Sequence, residues 1–292
     1  MRAFGSLRGQ QTRSGGPLSA GVRIMSWPAL SVTSLLVLAP AAWTCWAAVA
    51  GASPGRNLIK LAHDPVFWSS CRATCFVLVV CLTLEITLGG VLAFLLSYQV
   101  PGRRLLVGLL LIPSMAAPAG VGLMWQLMLD PNLGSLSRIQ RLLGVSPVPW
   151  LGDPSTALWA VALVDVWQWT PMVGLILAGG LRDIPKGLLE AALLDQASGC
   201  RMIRFVILPL MRPTLTAAAL LRSIDLCKFF DTVYVMTQGG PLHATTTLNV
   251  YGYQLAFLDS EPSYAAMVQL MLIILIALVG AIFLRVERRM EL

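Results

Sequence analysis

Three long stretches of this 292-residue chain contain no aspartate, glutamate, lysine or arginine. They cover residues 24–55, 105–129 and 262–284, and each is long enough to cross about 30 Å of hydrocarbon, which takes about 20 helical residues. With 57% hydrophobic residues, 12% charged residues and a mean hydropathy of +0.74, the chain has too little polar surface for a soluble globular protein. The sequence therefore predicts a polytopic membrane protein and argues against a disordered chain, a nucleic-acid binder and a secreted disulfide scaffold.

Apolar windows predict an all-α fold with six transmembrane helices, because a helix satisfies its backbone groups within the segment, as hydrocarbon requires. We expect an N-terminal tail over 1–29, a membrane domain over 30–284 and a C-terminal tail over 285–292. The first span has an alternative interpretation as a cleaved signal peptide, because arginines precede it and Ala48, Val49 and Ala50 resemble a cleavage site. Its charge-free run is longer than a typical signal core, which favours a retained span. The predicted spans are 30–50, 73–98, 105–127, 156–181, 214–237 and 264–284.

The distribution of basic residues orients these spans. Placing the N-terminus in the cytoplasm puts fourteen lysines and arginines on the inside and five on the outside, and cytoplasmic loops are the ones that carry such an excess. Both termini are therefore predicted to be cytoplasmic. The five on the outside are Arg56, Lys60, Arg72, Arg138 and Arg141.

The sequence offers no catalytic or metal-binding pattern. Its six cysteines include no CxxC pair, and its two histidines lack metal-ligand spacing, so we predict packing roles and no metal site or disulfide. The three lysines, Lys60, Lys186 and Lys228, are followed by leucine, glycine and phenylalanine, which excludes the Lys-Ser or Lys-Thr of a P-loop. GxSxG, HExxH and paired-carboxylate patterns are also missing from the sequence. We therefore predict no enzymatic activity and no cofactor bound by this chain.

The cytoplasmic connection 182–213 carries a helical signal of its own. Pro185 suits the start of a helix and Gly199 its end. The pattern predicts a short helix under the membrane, with a membrane-surface helix or simple loop packing as the alternative. One face is predicted to carry Leu188, Leu189, Ala192 and Leu193, and the other Glu190, Ala191, Leu194 and Ala197.

The same connection resembles the hallmark loop of one family, in which EAA is followed by three residues, glycine, nine residues, isoleucine, one residue and Leu-Pro. The chain keeps this spacing, with Gln196 at the glycine position and Val206 at the isoleucine position. It thereby resembles the membrane-spanning permease subunits of binding-protein-dependent ABC importers. The loop at 237–241 (TQGGP) and the segment at 150–154 (WLGDP) favour the carbohydrate-uptake branch, similar to the MalF and UgpA permeases. The remaining motif residues are Glu190, Ala191, Ala192, Leu208 and Pro209.

The resemblance implies a bacterial inner-membrane location and a set of partners. These are a second six-helix permease subunit, two ATP-binding-cassette ATPases that bind ATP and Mg, an extracytoplasmic substrate-binding protein and a sugar cargo, which moves by alternating access. The short helix would dock on the ATPase, with the charge of Glu190 facing basic groups. Because glutamine disfavours left-handed backbone, we expect φ below zero at Gln196 and the turn at Gly199. The implied coupling residues are Glu190, Ala191, Ala192, Leu194, Asp195, Gln196, Ala197, Gly199, Leu208 and Pro209.

Charged residues also lie inside the predicted spans, where each costs about 2.5–3.5 kcal/mol at the centre on insertion scales. Four of them follow one another at three-residue spacing in span five with alternating sign, so pairing along the helix is expected. Two interpretations stay open, a structural ion-pair ladder against the second permease and a polar wall of the translocation pathway. Trp167, Gln168 and Trp169, beside Asp165, suit sugar contact, although aromatics near span ends are also interfacial anchors. The pathway candidates are Asp165, Trp167, Gln168, Arg222, Asp225, Lys228 and Asp231, and Glu85 is a further intramembrane charge.

Three functions fit these observations. The first is import of a sugar or sugar derivative by an ABC transporter. The second is ABC import of another solute such as glycerol phosphate or a polyol. The third is a self-sufficient channel or membrane enzyme, in which case the EAA spacing is accidental.

Overall fold

A computed structural model describes residues 20–50, 54–97 and 102–288. Within these ranges the chain forms helices and loops and no strand, in agreement with the predicted all-α fold. Most of the helical residues are α-helical, and two segments, Ile203–Ile207 and Gln254–Leu258, are π-helical turns. The helices are α1 (Ala20–Ala50), α2 (Pro54–His63), α3 (Pro65–Ser97), α4 (Arg103–Met115), α5 (Pro118–Met128), α6 (Ser135–Leu142), α7 (Pro154–Arg182), α8 (Lys186–Leu194), α9 (Cys200–Met202), α10 (Leu208–Leu210), α11 (Arg212–Cys227), α12 (Asp231–Thr237), α13 (Leu248–Tyr253) and α14 (Pro262–Arg288).

Four helices, α1, α3, α7 and α14, are long and apolar enough to cross a membrane by themselves. Two pairs of consecutive helices reach this length only together: α4 and α5 are bent by 91°, and the segment 200–210 and α11 by 70°. The described residues therefore hold four spans, or six if each bent pair crosses as one. Helix also extends into both predicted tails, since α1 begins at Ala20 and α14 ends at Arg288, while residues 1–19 and 289–292 lie outside the described ranges.

The predicted third span is not a continuous helix. Ala116 and Ala117 have extended backbone, with ψ of 145° and 130°, and α5 begins at the next residue. Pro118 accounts for this break, because its ring disfavours helical backbone at the residue before it. The prediction of one helix over 105–127 is therefore wrong, since an apolar run by itself does not reveal the bend.

The predicted fifth span is discontinuous as well. α11 ends at Cys227 and α12 begins at Asp231, with Phe230 between them at φ −135° and ψ −62°. A negative charge in the first turn of a helix is favourable, so Asp231 suits the start of a new helix better than the interior of a long one. The break leaves the charged residues of this segment beside an opening in the bundle.

Helices α3 and α7 form the centre of the bundle and approach each other closely at two glycines. A Cβ at Gly89 would lie 2.9 Å from Val173 Cγ1, and one at Gly174 would lie 2.7 Å from Leu92 Cδ2. Side chains at either position would push the two helices apart, so glycine is what permits this packing. Helix α11 packs against both of them and contributes the fully buried Leu226 to their shared core.

Two ends of the bundle are distinguished by the short helices they carry. At the α2 end, Leu61 and Phe67 pack in one apolar cluster with Tyr264. At the opposite end, which we call the α8 end, Ile184 and Met211 pack in another. Helix α3 runs from the first end to the second, because its Ala93 belongs to the cluster at the α8 end.

Asp64 joins three elements at the α2 end. Its carboxylate accepts hydrogen bonds from the hydroxyls of Tyr251 (2.5 Å) and Tyr264 (2.6 Å) and from the backbone amide of Val66 (2.9 Å). Burial raises the pKa of Asp64, but the hydrogen bonds from the two tyrosines and from the start of α3 outweigh it and hold the pKa below its usual value. The ionised carboxylate therefore fastens the start of α3 to α13 and α14.

Replacing Asp64 with alanine is expected to destabilise the protein by about 2 kcal/mol, because hydrogen bonds to a charged acceptor are lost. A pKa that is lowered by folding adds stability above the ordinary aspartate pKa of about 3.9, and this stability is lost as the pH falls through the folded value. Melting temperatures of the wild type and of Asp64→Ala should therefore differ at pH 7, and the difference should shrink as the pH falls below the ordinary aspartate pKa. A constant difference over this range would contradict the role of the ionised carboxylate.

Candidate functional site

The predicted helix in the connection 182–213 is present as α8, which follows Pro185 directly. Leu189 packs against the cluster at the α8 end, and Ala192 is half-buried. Glu190 and Ala191 are exposed on the other side, and Leu194 is 85% exposed. The helix thus presents Glu190 and Ala191 of the EAA triplet, together with the apolar side chain of Leu194, outward.

The face predicted to carry Leu188, Leu189, Ala192 and Leu193 packs on the bundle only in part. Leu189 packs inward, whereas Leu188 and Leu193 are 47% and 59% exposed. The helix rests on the bundle through a narrow stripe, so its outer surface combines three exposed leucines with one carboxylate. Exposed apolar patches of this kind are typical of docking surfaces.

Gln196, which stands at the glycine position of the motif, lies just after α8 and has left-handed backbone. Its φ is +60°, so the expectation of a negative φ is wrong. The backbone amide of Ala197 bonds to the carbonyl of Ala192 (2.9 Å) and that of Gln196 to Leu193 (3.0 Å). This pattern is a Schellman cap, whose left-handed residue is usually glycine. Gly199 adds a second positive φ of +53°, in agreement with the predicted turn there.

The Leu-Pro end of the motif returns the chain to the bundle. Leu208 and Pro209 begin α10 directly after the π-helical turn, and Ile207 packs in the same cluster as Leu189. Pro209 has no backbone N–H to donate, which suits it to the start of a helix. Helix α8, which carries the EAA end of the motif, and the segment before its Leu-Pro end are therefore anchored on the same apolar cluster.

A second group of predicted residues forms a buried ion cluster. Arg222 on α11 donates from Nε to Glu85 Oε2 on α3 (2.6 Å) and from Nη2 to Glu85 Oε1 (2.8 Å). Nη2 also donates to Asp165 Oδ2 on α7 (2.8 Å). All three residues are buried, so their charges are compensated by one another and not by water. The cluster joins the three central helices of the bundle.

The pairing along α11 is weaker than expected. Arg222 Nη1 lies 3.9 Å from Asp225 Oδ2, and Lys228 Nζ lies 3.5 Å from Asp225 Oδ1. Asp231 is separated by the break after α11 and makes no ion pair within the described residues. The principal partners of Arg222 are distant in sequence, and the predicted ladder joins Arg222, Asp225 and Lys228 but does not reach Asp231.

A cavity of about 280 Å³ lies beside this cluster, at the break between α11 and α12. Asp225, Lys228 and Asp231 line it with exposed side chains, whereas Asp165 and Arg222 contribute buried ones. The indole of Trp169 lies 4.8 Å from Arg222 Cζ and supplies an aromatic wall. The cavity therefore offers charged groups and an apolar ring face together. Five of the seven predicted pathway residues, Asp165, Arg222, Asp225, Lys228 and Asp231, line it.

Trp167 and Gln168 do not line this cavity, so the structure does not bring them together with the other five predicted pathway residues. Gln168 is fully buried, and its Nε2 donates to the carbonyl of Ala116 (3.1 Å) at the break between α4 and α5. Trp167 packs edge-on against Trp125, with ring centroids 5.4 Å apart. Trp169 is the tryptophan that lines the cavity, because it lies one helical turn after Asp165 and therefore on the same face of α7.

Comparisons with known proteins identify the family. The family described as binding-protein-dependent transport system inner membrane component matches residues 85–292. A trehalose/maltose transport system permease protein MalF from Thermococcus litoralis is 35% identical over 239 residues, which cover 79% of this chain and 81% of the relative. The sn-glycerol-3-phosphate permease UgpA of Yersinia pseudotuberculosis is 32% identical over 281 residues, which cover 90% of this chain and 93% of the relative.

Solved structures agree on the fold. The crystal structure of a bacterial alginate ABC transporter, in complex with an alginate pentasaccharide-bound periplasmic protein, contains a chain that superposes with a TM-score of 0.82. It covers 92% of this chain and 94% of that chain at 16% identity. The MetNI methionine transporter gives a TM-score of 0.56 over 78% of this chain and 98% of its own, at 21% identity. The chain belongs to the family of binding-protein-dependent transport system inner membrane components, and it is a permease subunit of an ABC importer.

Proposed function

We propose that this permease subunit imports a sugar or sugar derivative. The observation that carries the proposal is α8, which holds the EAA triplet at the spacing of the family's coupling loop and presents Glu190 and Ala191 outward. The names of the relatives, trehalose/maltose and glycerol-3-phosphate permeases, support a carbohydrate or a polyol phosphate as cargo. Glycerol phosphate or another polyol is the second candidate, because the UgpA relative matches over the larger share of this chain.

The proposed assembly contains a second six-helix permease, two ATP-binding-cassette ATPases and an extracytoplasmic substrate-binding protein. ATP and Mg belong to the ATPases, since the chain has no P-loop lysine followed by serine or threonine. Docking uses Glu190 for charge and Ala191 and Leu194 for apolar contact, with Asp195 at the edge. Closure of the ATPases then moves α8 and, through Leu189 and the Leu-Pro return, the bundle, which alternates access to the cargo.

Two affinity purifications test this assembly. The tagged full-length chain should retain a second permease and an ATPase when extracted from membranes in mild detergent. Retention of the ATPase should fall when the three exposed leucines of α8, Leu188, Leu193 and Leu194, are replaced by serine. A chain that purifies alone in both forms would contradict the assembly.

We propose that the cavity beside the ion cluster forms part of the translocation pathway. Asp225, Lys228 and Asp231 supply hydrogen-bonding groups with exposed side chains, and Trp169 supplies a ring face on which an apolar sugar face packs. Asp165 and Arg222 hold the wall in place from the buried side. The proposal combines the two earlier interpretations. The buried residues Glu85, Asp165 and Arg222 have a structural role, and the exposed residues Asp225, Lys228 and Asp231 face the cavity.

Coupling should depend on the left-handed residue that ends α8. Gln196→Gly should preserve uptake, because glycine adopts a positive φ without strain. Gln196→Val should reduce uptake by about tenfold, because a β-branched residue is a genuine outlier at this φ. Uptake in membrane vesicles measures both, with Ala197→Val as the neighbouring control. Equal uptake by the valine and glycine variants would contradict the role of this cap.

We propose that both termini and α8 lie in the cytoplasm, on the basis of the basic residues near the α8 end. Single cysteines introduced into a cysteine-depleted chain should then react with an impermeant maleimide from outside at Leu242, but only after permeabilisation at Leu194. Both positions are strongly exposed, which makes them a matched pair. Labelling of Leu194→Cys in intact cells would reverse the topology.

A further inference from the structure

An apolar groove of about 460 Å³ runs between α3, α7 and the segment from α9 to α11 near the α8 end. Thr87 is the one polar side chain among its described lining residues, and its hydroxyl already donates to the carbonyl of Thr83 (2.6 Å). The groove wall is therefore hydrocarbon throughout. Its other lining residues include Val91, Leu177, Leu181, Ile203, Ile207 and Met211.

The dimensions of the groove suit a flexible hydrocarbon chain better than a helix as the group that fills it. One helical turn with a diameter of about 10 Å and a rise of 5.4 Å occupies roughly 420 Å³, so the groove accepts about a single turn. A notch at Gly90 deepens it, because a Cβ at that position would have no described atom from outside the neighbouring backbone of α3 within 4 Å. An extended hydrocarbon chain fills such a narrow space without leaving its own polar groups unpaired.

Three exposed arginines are next in sequence to lining residues of the groove. Arg182, Arg204 and Arg212 directly follow the lining residues Leu181, Ile203 and Met211. All three are exposed, and none forms an ion pair in the parts of the chain that the structure describes. Long arginine side chains keep their charged heads at the membrane surface while their stems cover apolar surface. Basic pockets between spans on the cytoplasmic side are suited to anionic lipid headgroups.

From this arrangement we propose that the groove binds an anionic phospholipid, with one acyl chain between α3 and α11 and the phosphate on Arg182, Arg204 and Arg212. The lipid would belong to the cytoplasmic leaflet, an assignment that rests on the proposed cytoplasmic orientation of the α8 end. The N-terminal 19 residues are a poor alternative occupant, because they contain three arginines and only a few apolar residues. The bound lipid would lie against the segment that returns from α8 to the bundle and would hold it in place.

Photocrosslinking in the assembled transporter tests this inference. The complex is reconstituted into nanodiscs that contain a trace of phosphatidylglycerol or phosphatidylcholine with the same diazirine-labelled acyl chain. We expect crosslinks within 86–95 and 203–215, at least about tenfold stronger for phosphatidylglycerol. Equal labelling by both lipids would reduce the site to hydrocarbon contact and overturn the proposal. Absence of labelling in the assembled complex would mean that the second permease covers the groove, which also overturns it.

Variants separate the groove from the headgroup site. Gly90→Trp should abolish crosslinking by filling the notch, whereas Gly108→Trp on α4, also without a neighbour within 4 Å, should not. Arg204→Gln and Arg212→Gln should each lower the preference for phosphatidylglycerol about fivefold, while Arg138→Gln should leave it unchanged. Unchanged crosslinking in Gly90→Trp would refute the groove as the site.

ATP-dependent uptake by the same nanodisc preparation, transferred to liposomes, distinguishes this inference from the proposed function. A complex that transports but gives no lipid preference refutes only the lipid site. A complex that crosslinks phosphatidylglycerol but transports nothing refutes the proposed function and leaves the lipid site supported.

Discussion

Glu190→Lys is expected to lower uptake at least about 100-fold, while the external binding protein still recognises the cargo. The side chain is exposed on α8 and faces away from the bundle, so the substitution alters the docking surface and not the core. A lysine there would oppose the basic groups proposed on the ATPase, and such like-charge contact costs several kcal/mol. Uptake in membrane vesicles and retention of the ATPase in a pull-down measure the two parts of this effect.

Asp183→Lys is the matched control for this charge reversal. Asp183 is exposed in the same connection but lies before α8 and outside the EAA spacing. Uptake by this variant should stay within about twofold of the wild type, because surface charges away from an interface contribute little. Normal uptake and normal ATPase retention by Glu190→Lys would reduce Glu190 to an ordinary loop residue.

Arg222→Met is expected to destabilise the protein by about 3–5 kcal/mol. The substitution leaves Glu85 and Asp165 buried without their shared guanidinium, and an uncompensated buried charge is more costly than an apolar core of the same shape. The melting temperature in detergent should therefore fall by roughly 10 °C.

The compensated variant decides whether this loss is electrostatic. Combining Arg222→Met with Glu85→Gln and Asp165→Asn removes all three charges, so most of the lost melting temperature should return. Arg138→Met, at an exposed arginine on α6, should leave the melting temperature unchanged. If the triple variant melts as low as Arg222→Met alone, the loss is one of packing and the charge interpretation is wrong.

The coupling loop was the most predictable part of the molecule, because its signals are local. A proline before α8, the EAA spacing and the Leu-Pro return all lie within 182–213 and need no tertiary contact to be recognised. The exposure of Leu188 and Leu193 was not predictable, because it depends on how closely α8 approaches the cluster around Ile184. The positive φ of Gln196 was also missed, since a Schellman cap overrode the preference of the residue.

The ion cluster could be predicted only in part. Hydropathy located the charges within the spans, but Arg222 and Glu85 are 137 residues apart, and nothing in the sequence pairs them. Trp169 had a usable signal, since its four-residue spacing from Asp165 places both on one face of α7. The break before Pro118 is set by a backbone preference inside an apolar run, and the break after Cys227 lies among charged residues where Asp231 suits a new helix start; a hydropathy window resolves neither.

Reconstitution into proteoliposomes tests the central claim, that the chain is a permease whose work is supplied by partner ATPases. ATP hydrolysis and uptake of labelled cargo are measured for the purified chain alone and for the chain with the second permease, the ATPases and the binding protein. We predict neither activity from the chain alone, and both from the complete set when ATP and Mg are present. Robust ATP hydrolysis by the isolated chain, or ATP-independent uptake through it, would contradict the account.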